Sequence, residues 1–118
     1  MANNQIIPIT YDSIATIQGI ATINLVREAI QSRKCLSIQY GGHDRLIEPH
    51  ALWVAKDGRT VMSAYQLSGG SKSGSPRPWR TFGLDRIGPI SVSDQYSQAP
   101  RDGYVPDYSG KTLILSQV

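Results

Sequence analysis

One helix followed by short strands that close into a small antiparallel barrel is the fold this sequence predicts, mainly β in class. Three observations carry that reading. Apolar residues from Ile14 to Ile30 recur at three- and four-residue steps, the spacing of one helix face. After residue 34 the period drops to two, and the alternating runs are separated by Gly41-Gly42, Asp57-Gly58 and a Gly/Ser/Pro stretch. That is how strands joined by hairpins are punctuated. Pro49 and Pro89 fall inside two of the runs, where proline marks the edges and bends of a barrel corner.

The length of 118 residues gives room for one domain, and a 40% hydrophobic composition is enough for one packed core. A doubly wound dinucleotide fold with a second domain and a barrel of eight βα units are both excluded by length. Cys35 is the single cysteine, so no disulfide can form within the chain. With no basic, apolar leader at residues 1–5 and no clean apolar run of about 20 residues, the expectation is a cytoplasmic protein that does not enter a membrane.

The elements follow in order. Residues 1–12 carry Pro8 and no strong period, and read as an arm. Ile14, Ile17, Ile23, Val26, Ala29 and Ile30 define the helix, which Gly19 divides, leaving a firmer part over 22–33. Arg33 and Lys34 sit where cations complement a helix C-terminus. Leu36, Ile38 and Tyr40 alternate with Cys35, Ser37 and Gln39 in a first strand that ends at Gly41-Gly42. A second strand over 46–56 bends at Pro49, and Asp57-Gly58 turns it into a third over 59–66. In the third, Met62 and Ala64 share one face, Val61, Ser63 and Tyr65 the other. Residues 68–78 are too polar to pack and connect to a fourth strand over 79–84. A fifth over 86–93 contains Pro89. The remainder reads as an irregular tail with one more short strand at 112–115. The predicted organisation is an arm at 1–20, a helix-plus-barrel domain at 21–97 and a tail at 98–118.

The net charge of +3 is unevenly spread. Residues 33–86 hold nine basic against four acidic side chains, net +5, while the flanks hold three against five, net −2. Arginine outnumbers lysine six to three in the basic stretch. The planar guanidinium binds phosphate bidentately and stacks on bases, so the bias fits an anionic partner.

Catalytic and metal chemistry find little support. His43 and His50 have no Cys or carboxylate at zinc-ligand spacing. Cys35 opens an apolar strand, where an inert buried thiol is expected. Glu48 stands alone beside Pro49, without a second carboxylate for acid–base work. The glycines at 69–74 lack the Gly-Lys-Ser/Thr ending of a phosphate loop. No catalytic residue, metal or cofactor is therefore expected.

The most informative string is Trp79-Arg80-Thr81-Phe82-Gly83-Leu84-Asp85-Arg86-Ile87. Alternation puts Arg80 on the face of Phe82 and Leu84, where an arginine needs a mouth, a partner or a ligand. Two readings stand: an inter-strand ion pair of Arg86 with Glu48, or a basic pocket formed by Arg80 and Arg86 at the barrel rim.

Taken with Arg27-Glu28-Ala29-Ile30, Leu36-Ser37-Ile38-Gln39-Tyr40, residues Arg45 to Leu52 and Met62-Ser63-Ala64-Tyr65, that string resembles the WYL domain, a bacterial regulatory module. The resemblance spans about residues 22–97. It implies a five-stranded SH3-like, Sm-like barrel preceded by a helix, and a non-catalytic sensor of nucleotides or single-stranded nucleic acid. Such a module modulates transcription or a CRISPR-associated defence system. By this likeness Arg80 and Arg86 map onto the basic ligand pocket, with Arg45 and Tyr40 as further candidates. The tripeptide that names the family falls on Thr60-Val61-Met62, which leaves Tyr65, Trp79 and Trp53 as the rings available to stack on a base. With about 20 residues before the helix, the expectation is a standalone domain whose partners are an anionic ligand and a separate DNA-binding regulator or nuclease. The alternative is a protein-interaction adaptor acting through barrel edge strands or as a homodimer.

Overall fold

The computed structural model describes residues 11–74, 76–106 and 111–118. Its architecture is mainly β: one helix, then six antiparallel strands in one open sheet. Helix α1 runs over Tyr11–Ser32 and the strands are β1 (Lys34–Tyr40), β2 (His43–Ala55), β3 (Thr60–Gly69), β4 (Trp79–Gly83), β5 (Ile87–Tyr96) and β6 (Lys111–Gln117). The strand order is β4-β3-β2-β1-β5, with β6 paired to β2.

The expected closed five-stranded barrel is thus replaced by an open six-stranded sheet. Two local features account for the difference. The 13-residue β2 is paired with β3 along most of its length, but its other edge is shared: β1 takes residues 43–47 and β6 takes 51–55. The changeover falls at the register shift between Pro49 and Ala51, because proline cannot donate to a ladder. Between β4 and β5 the chain makes one turn of 3-10 helix, Leu84–Arg86. Among the described residues no ladder joins those two strands.

Gly19 does not divide the helix, which is continuous through it. Packing does distinguish its two parts. Val26, Ala29 and Ile30 are buried and Ile23 packs against them, whereas Ile17 and Ile20 are exposed. Helix stability here comes from the packed C-terminal turns. Arg33 ends the helix at φ +54°, the left-handed position that glycine usually takes. Its backbone N–H and its guanidinium both donate to the Ile30 carbonyl. Lys34 belongs to β1 rather than to the helix end, and its ammonium lies 3.7 Å from the centre of the Tyr96 ring.

The core lies between α1 and one face of the sheet. Leu36 and Ile38 from β1, Ile47 and Leu52 from β2, Met62 and Ala64 from β3, Phe82 from β4 and Leu84 from the 3-10 turn meet the helix residues there. Each large side chain so buried contributes roughly 1.5–3 kcal/mol. Pro89 sits in β5, which among the described residues is a sheet edge paired with β1 alone, beside the register shift that separates Ile38–Ile90 from Tyr40–Ile87. The polar connection after β3 starts later than expected, since Ser68 and Gly69 still pair with β2. Its far end is tied back where the Gln66 N–H donates to the Pro78 carbonyl at 2.8 Å.

Gly69 is the tightest point of the β2–β3 ladder. It adopts φ +102°, and a Cβ there would overlap the Asp44 carbonyl oxygen and lie 2.8 Å from Arg45 Cα. Gly69→Ala is therefore expected to destabilise the fold by more than about 1 kcal/mol, measured as a fall in the urea midpoint at unchanged m-value.

Candidate functional site

The two faces of the sheet carry different chemistry, and the β3–β4 register shows how. Ala64 pairs with Arg80 and Tyr65 with Trp79. Adjacent strand residues point to opposite faces, so Arg80 shares the core face with Phe82, and Trp79 and Tyr65 occupy the other.

On the core face, at the end of the apolar layer, Arg45 is 5% exposed. One guanidinium nitrogen donates to the Tyr40 carbonyl at 2.9 Å and the other to Gln66 Oε1 at 3.4 Å. The charge lies over the Tyr40 and Phe82 rings, 5.4 and 5.5 Å from their centres, which pack edge to face at 4.9 Å. All these partners are neutral, and the buried Arg45 Nε has no hydrogen-bond partner. Burial, and after it the nearby charge of Arg80, pulls the Arg45 guanidinium below its usual value; Tyr40 acts the other way. A cavity of about 220 Å³ opens beside this group, lined by Gln66, Gly69, Arg77, Pro78 and Arg80. Lys72 and the Arg45 guanidinium both approach Gly41. The result is a cationic mouth.

The opposite face is an aromatic layer covered by residues 97–106. Glu48 is 1% exposed and accepts from the Arg101 guanidinium at 2.6 Å and from the Gln98 N–H. His50 is fully buried. Its Nε2 accepts from the Arg101 N–H at 2.9 Å, which fixes the ring proton on Nδ1, facing the Glu48 carbonyl at 2.9 Å. Trp79 packs against His50 and Tyr65 and donates to the Asp102 carbonyl. Arg101 lies over the Tyr65 ring, 4.6 Å from its centre.

The residues singled out from sequence are thus divided. Arg80 lines the cationic mouth, and Arg45 lies behind it, bonded to Gln66 of the lining and packed on Tyr40. Tyr65 and Trp79 lie on the other face. Arg86 is exposed in the 3-10 turn, so it forms no inter-strand pair with Glu48; Arg101 takes that role. Sequence reasoning missed Gln66 and Arg77 at the mouth, and Arg101 and Tyr104 on the aromatic face. Cys35 is buried, and burial followed by the Glu48 charge pushes its thiol up, which keeps it protonated. Among the described residues no group of three His, Cys, Asp or Glu could hold a metal ion. Nor, among those residues, is any helix long and apolar enough to cross a membrane.

A family model for the WYL domain matches residues 21–92, more than half of the chain. The chain belongs to the WYL domain family. No curated protein matches it. WYL domains are regulatory, sensor-type modules rather than catalytic ones, and the matched span covers the strands that carry Arg45, Tyr40 and Arg80.

Two outcomes test this description. Arg101→Ala leaves the Glu48 carboxylate buried without its cation, so it is expected to lower the unfolding midpoint clearly, and Glu48→Gln in the same chain restores part of the loss. Arg59→Ala, which breaks the exposed Arg59–Asp85 pair at 3.3 Å, changes stability by less than about 0.5 kcal/mol. The second outcome concerns pH. Burial holds His50 below the usual imidazole value, so the folded protein prefers the neutral ring. The stability this gives is complete above about pH 6.5, where the unfolded histidine is also neutral. It is lost as pH falls from there towards the lower folded value. Urea midpoints are expected to drop across that interval, with a shallower slope in His50→Gln.

Proposed function

We propose that this WYL domain senses an anionic ligand of the phosphate type, a nucleotide or a short single-stranded nucleic acid, at the cationic mouth. The observation that supports this reading most directly is Arg45: a buried guanidinium with only neutral partners and one unsatisfied N–H. A buried charge is costly until something of opposite sign reaches it. A phosphate oxygen in the adjoining cavity would meet Arg80 and Arg77 of its lining and bring negative charge close to Arg45, which is bonded to Gln66 of the same lining. Recognition by rings on this face falls to Tyr40, since Tyr65 and Trp79 are on the other side of the sheet. As a cytoplasmic sensor, the module would report the ligand to a separate DNA-binding regulator or defence nuclease.

Titration with AMP and with a labelled oligothymidylate tests the proposal. Oligonucleotide affinity is expected to fall at least tenfold between 50 and 200 mM salt, as counterion release requires. Arg80→Ala should weaken both ligands about tenfold or more with little change in melting temperature, and Arg45→Lys, which keeps charge but loses the fork, should weaken them too. Binding that ignores salt, or that survives both changes, overturns the assignment.

One observation favours a second reading, an adaptor or homodimer. Leu113 and Ile114 on β6 are 56% and 40% exposed, and Ile17 and Ile20 on the helix are also open. Among the described residues β6 pairs with β2 alone, which leaves its outer edge to a second copy. A molecular mass of one chain by light scattering at high protein concentration rules the homodimer out.

A further inference from the structure

The aromatic face contains a second cavity, separate from the cationic mouth. It measures about 380 Å³ and is lined by Trp53, Ser63, Trp79, Thr81, Tyr104 and Val105, with Gly103 at its edge. That size suits a ligand of one or two rings. Among the described residues no charged side chain lines it. Trp79 and Tyr104 present nearly parallel rings, 17° apart in plane with centres 6.3 Å apart. Ser63 supplies the polar element: its Oγ is shielded from solvent and has no hydrogen-bond partner. A buried hydroxyl without a partner costs free energy and calls for an explanation. Ser63 lines a cavity whose other described walls are mostly aromatic or aliphatic.

We propose that this cavity is a binding site for a compact, uncharged heteroaromatic molecule, one or two rings carrying a nitrogen or oxygen that hydrogen-bonds to Ser63. The rings would supply apolar area and stacking, and the hydroxyl would fix orientation. The described lining is aromatic, aliphatic or neutral polar and favours neutral rings over anions, so this site and the cationic mouth discriminate by opposite chemistry. One wall of the site, residues 103–105, belongs to the segment held by Glu48 and His50 through Arg101. An occupant therefore contacts both the sheet and the segment covering it.

The chain has two tryptophans, and both line this cavity, so their indole N–H signals in a ¹H–¹⁵N spectrum report on it directly. The probes are benzimidazole and toluene as neutral rings, with benzoate and inorganic phosphate as anions. Saturable shifts of both indole signals are expected with the two neutral rings and not with the anions. Ser63→Ala should weaken benzimidazole about three- to tenfold and leave toluene unchanged. Thr81→Phe, at an exposed position on the cavity wall, should block both while the rest of the spectrum stays folded. Arg80→Ala should leave the titration unaltered, which separates this site from the one under Proposed function. The proposal is overturned if neither ring shifts the indole signals up to its solubility. It is equally overturned if benzoate binds as well as benzimidazole, if Ser63→Ala is without effect, or if Arg80→Ala abolishes binding.

Discussion

A carboxylate at the bent centre of the longest strand governs how the rest of the chain is laid out. Glu48 is 1% exposed, and a charge so placed persists only with a cation and donors around it. Neither neighbouring strand supplies them. Arg101 and the Gln98 N–H do, from 53 and 50 residues further along. To reach Glu48, the chain after β5 must cross back over the sheet. Once there, the Arg101 N–H meets His50 and the Asp102 carbonyl meets Trp79. The polar groups of a segment without regular structure are in this way satisfied by side chains, as buried backbone requires. The crossing also delivers the chain to β2, where β6 takes the edge that β1 leaves free beyond Pro49.

From that crossing follows the two-sided character of the sheet. One face is closed by α1 and is apolar up to its end, where Arg45 and Arg80 stand. The other is closed by residues 97–106 over Tyr65, Trp79 and His50. Arg80 and Trp79 are neighbours in sequence and belong to different compartments, because β4 alternates. Charge and rings that look like one composite site along the chain are thus separated by the thickness of the sheet. A single mononucleotide cannot place its phosphate on Arg80 and its base on Trp79 at once. Each face must be argued with its own ligand chemistry.

Much of this was legible from local pattern. The period-two runs, the Gly41-Gly42 and Asp57-Gly58 turns, and the placement of Arg80 beside Phe82 all depend on residues close in sequence, and so did the string that marks the family. What escaped were features set by distant contacts. Glu48 looked solitary because its cation lies in a Pro/Gly-rich stretch that local rules assign to loop. The 3-10 turn at Leu84–Arg86 was read as strand on both sides because one turn is too short to show a period. It is this turn that holds Arg86 exposed, away from Glu48. Gly19 looked like a break because helix propensity penalises it, yet one glycine costs only about 1 kcal/mol and the turns after it are fixed by Val26, Ala29 and Ile30.

Arg45 shows why burial and function are hard to separate here. Its position opposite Ile38 and next to Ile47 follows from β-strand alternation alone, and an aliphatic residue could fill the same space without an unsatisfied N–H. The guanidinium is partly compensated: two donors are used and the charge lies over two ring faces, a contact worth roughly 0.5–2 kcal/mol. What stays uncompensated is directional, one N–H and a net positive charge raised further by Arg80. Packing would be served better by leucine. On the reading proposed above, an incoming anionic oxygen would supply both the missing acceptor and the missing charge, and the Tyr40–Phe82 ring pair would hold the fork in place.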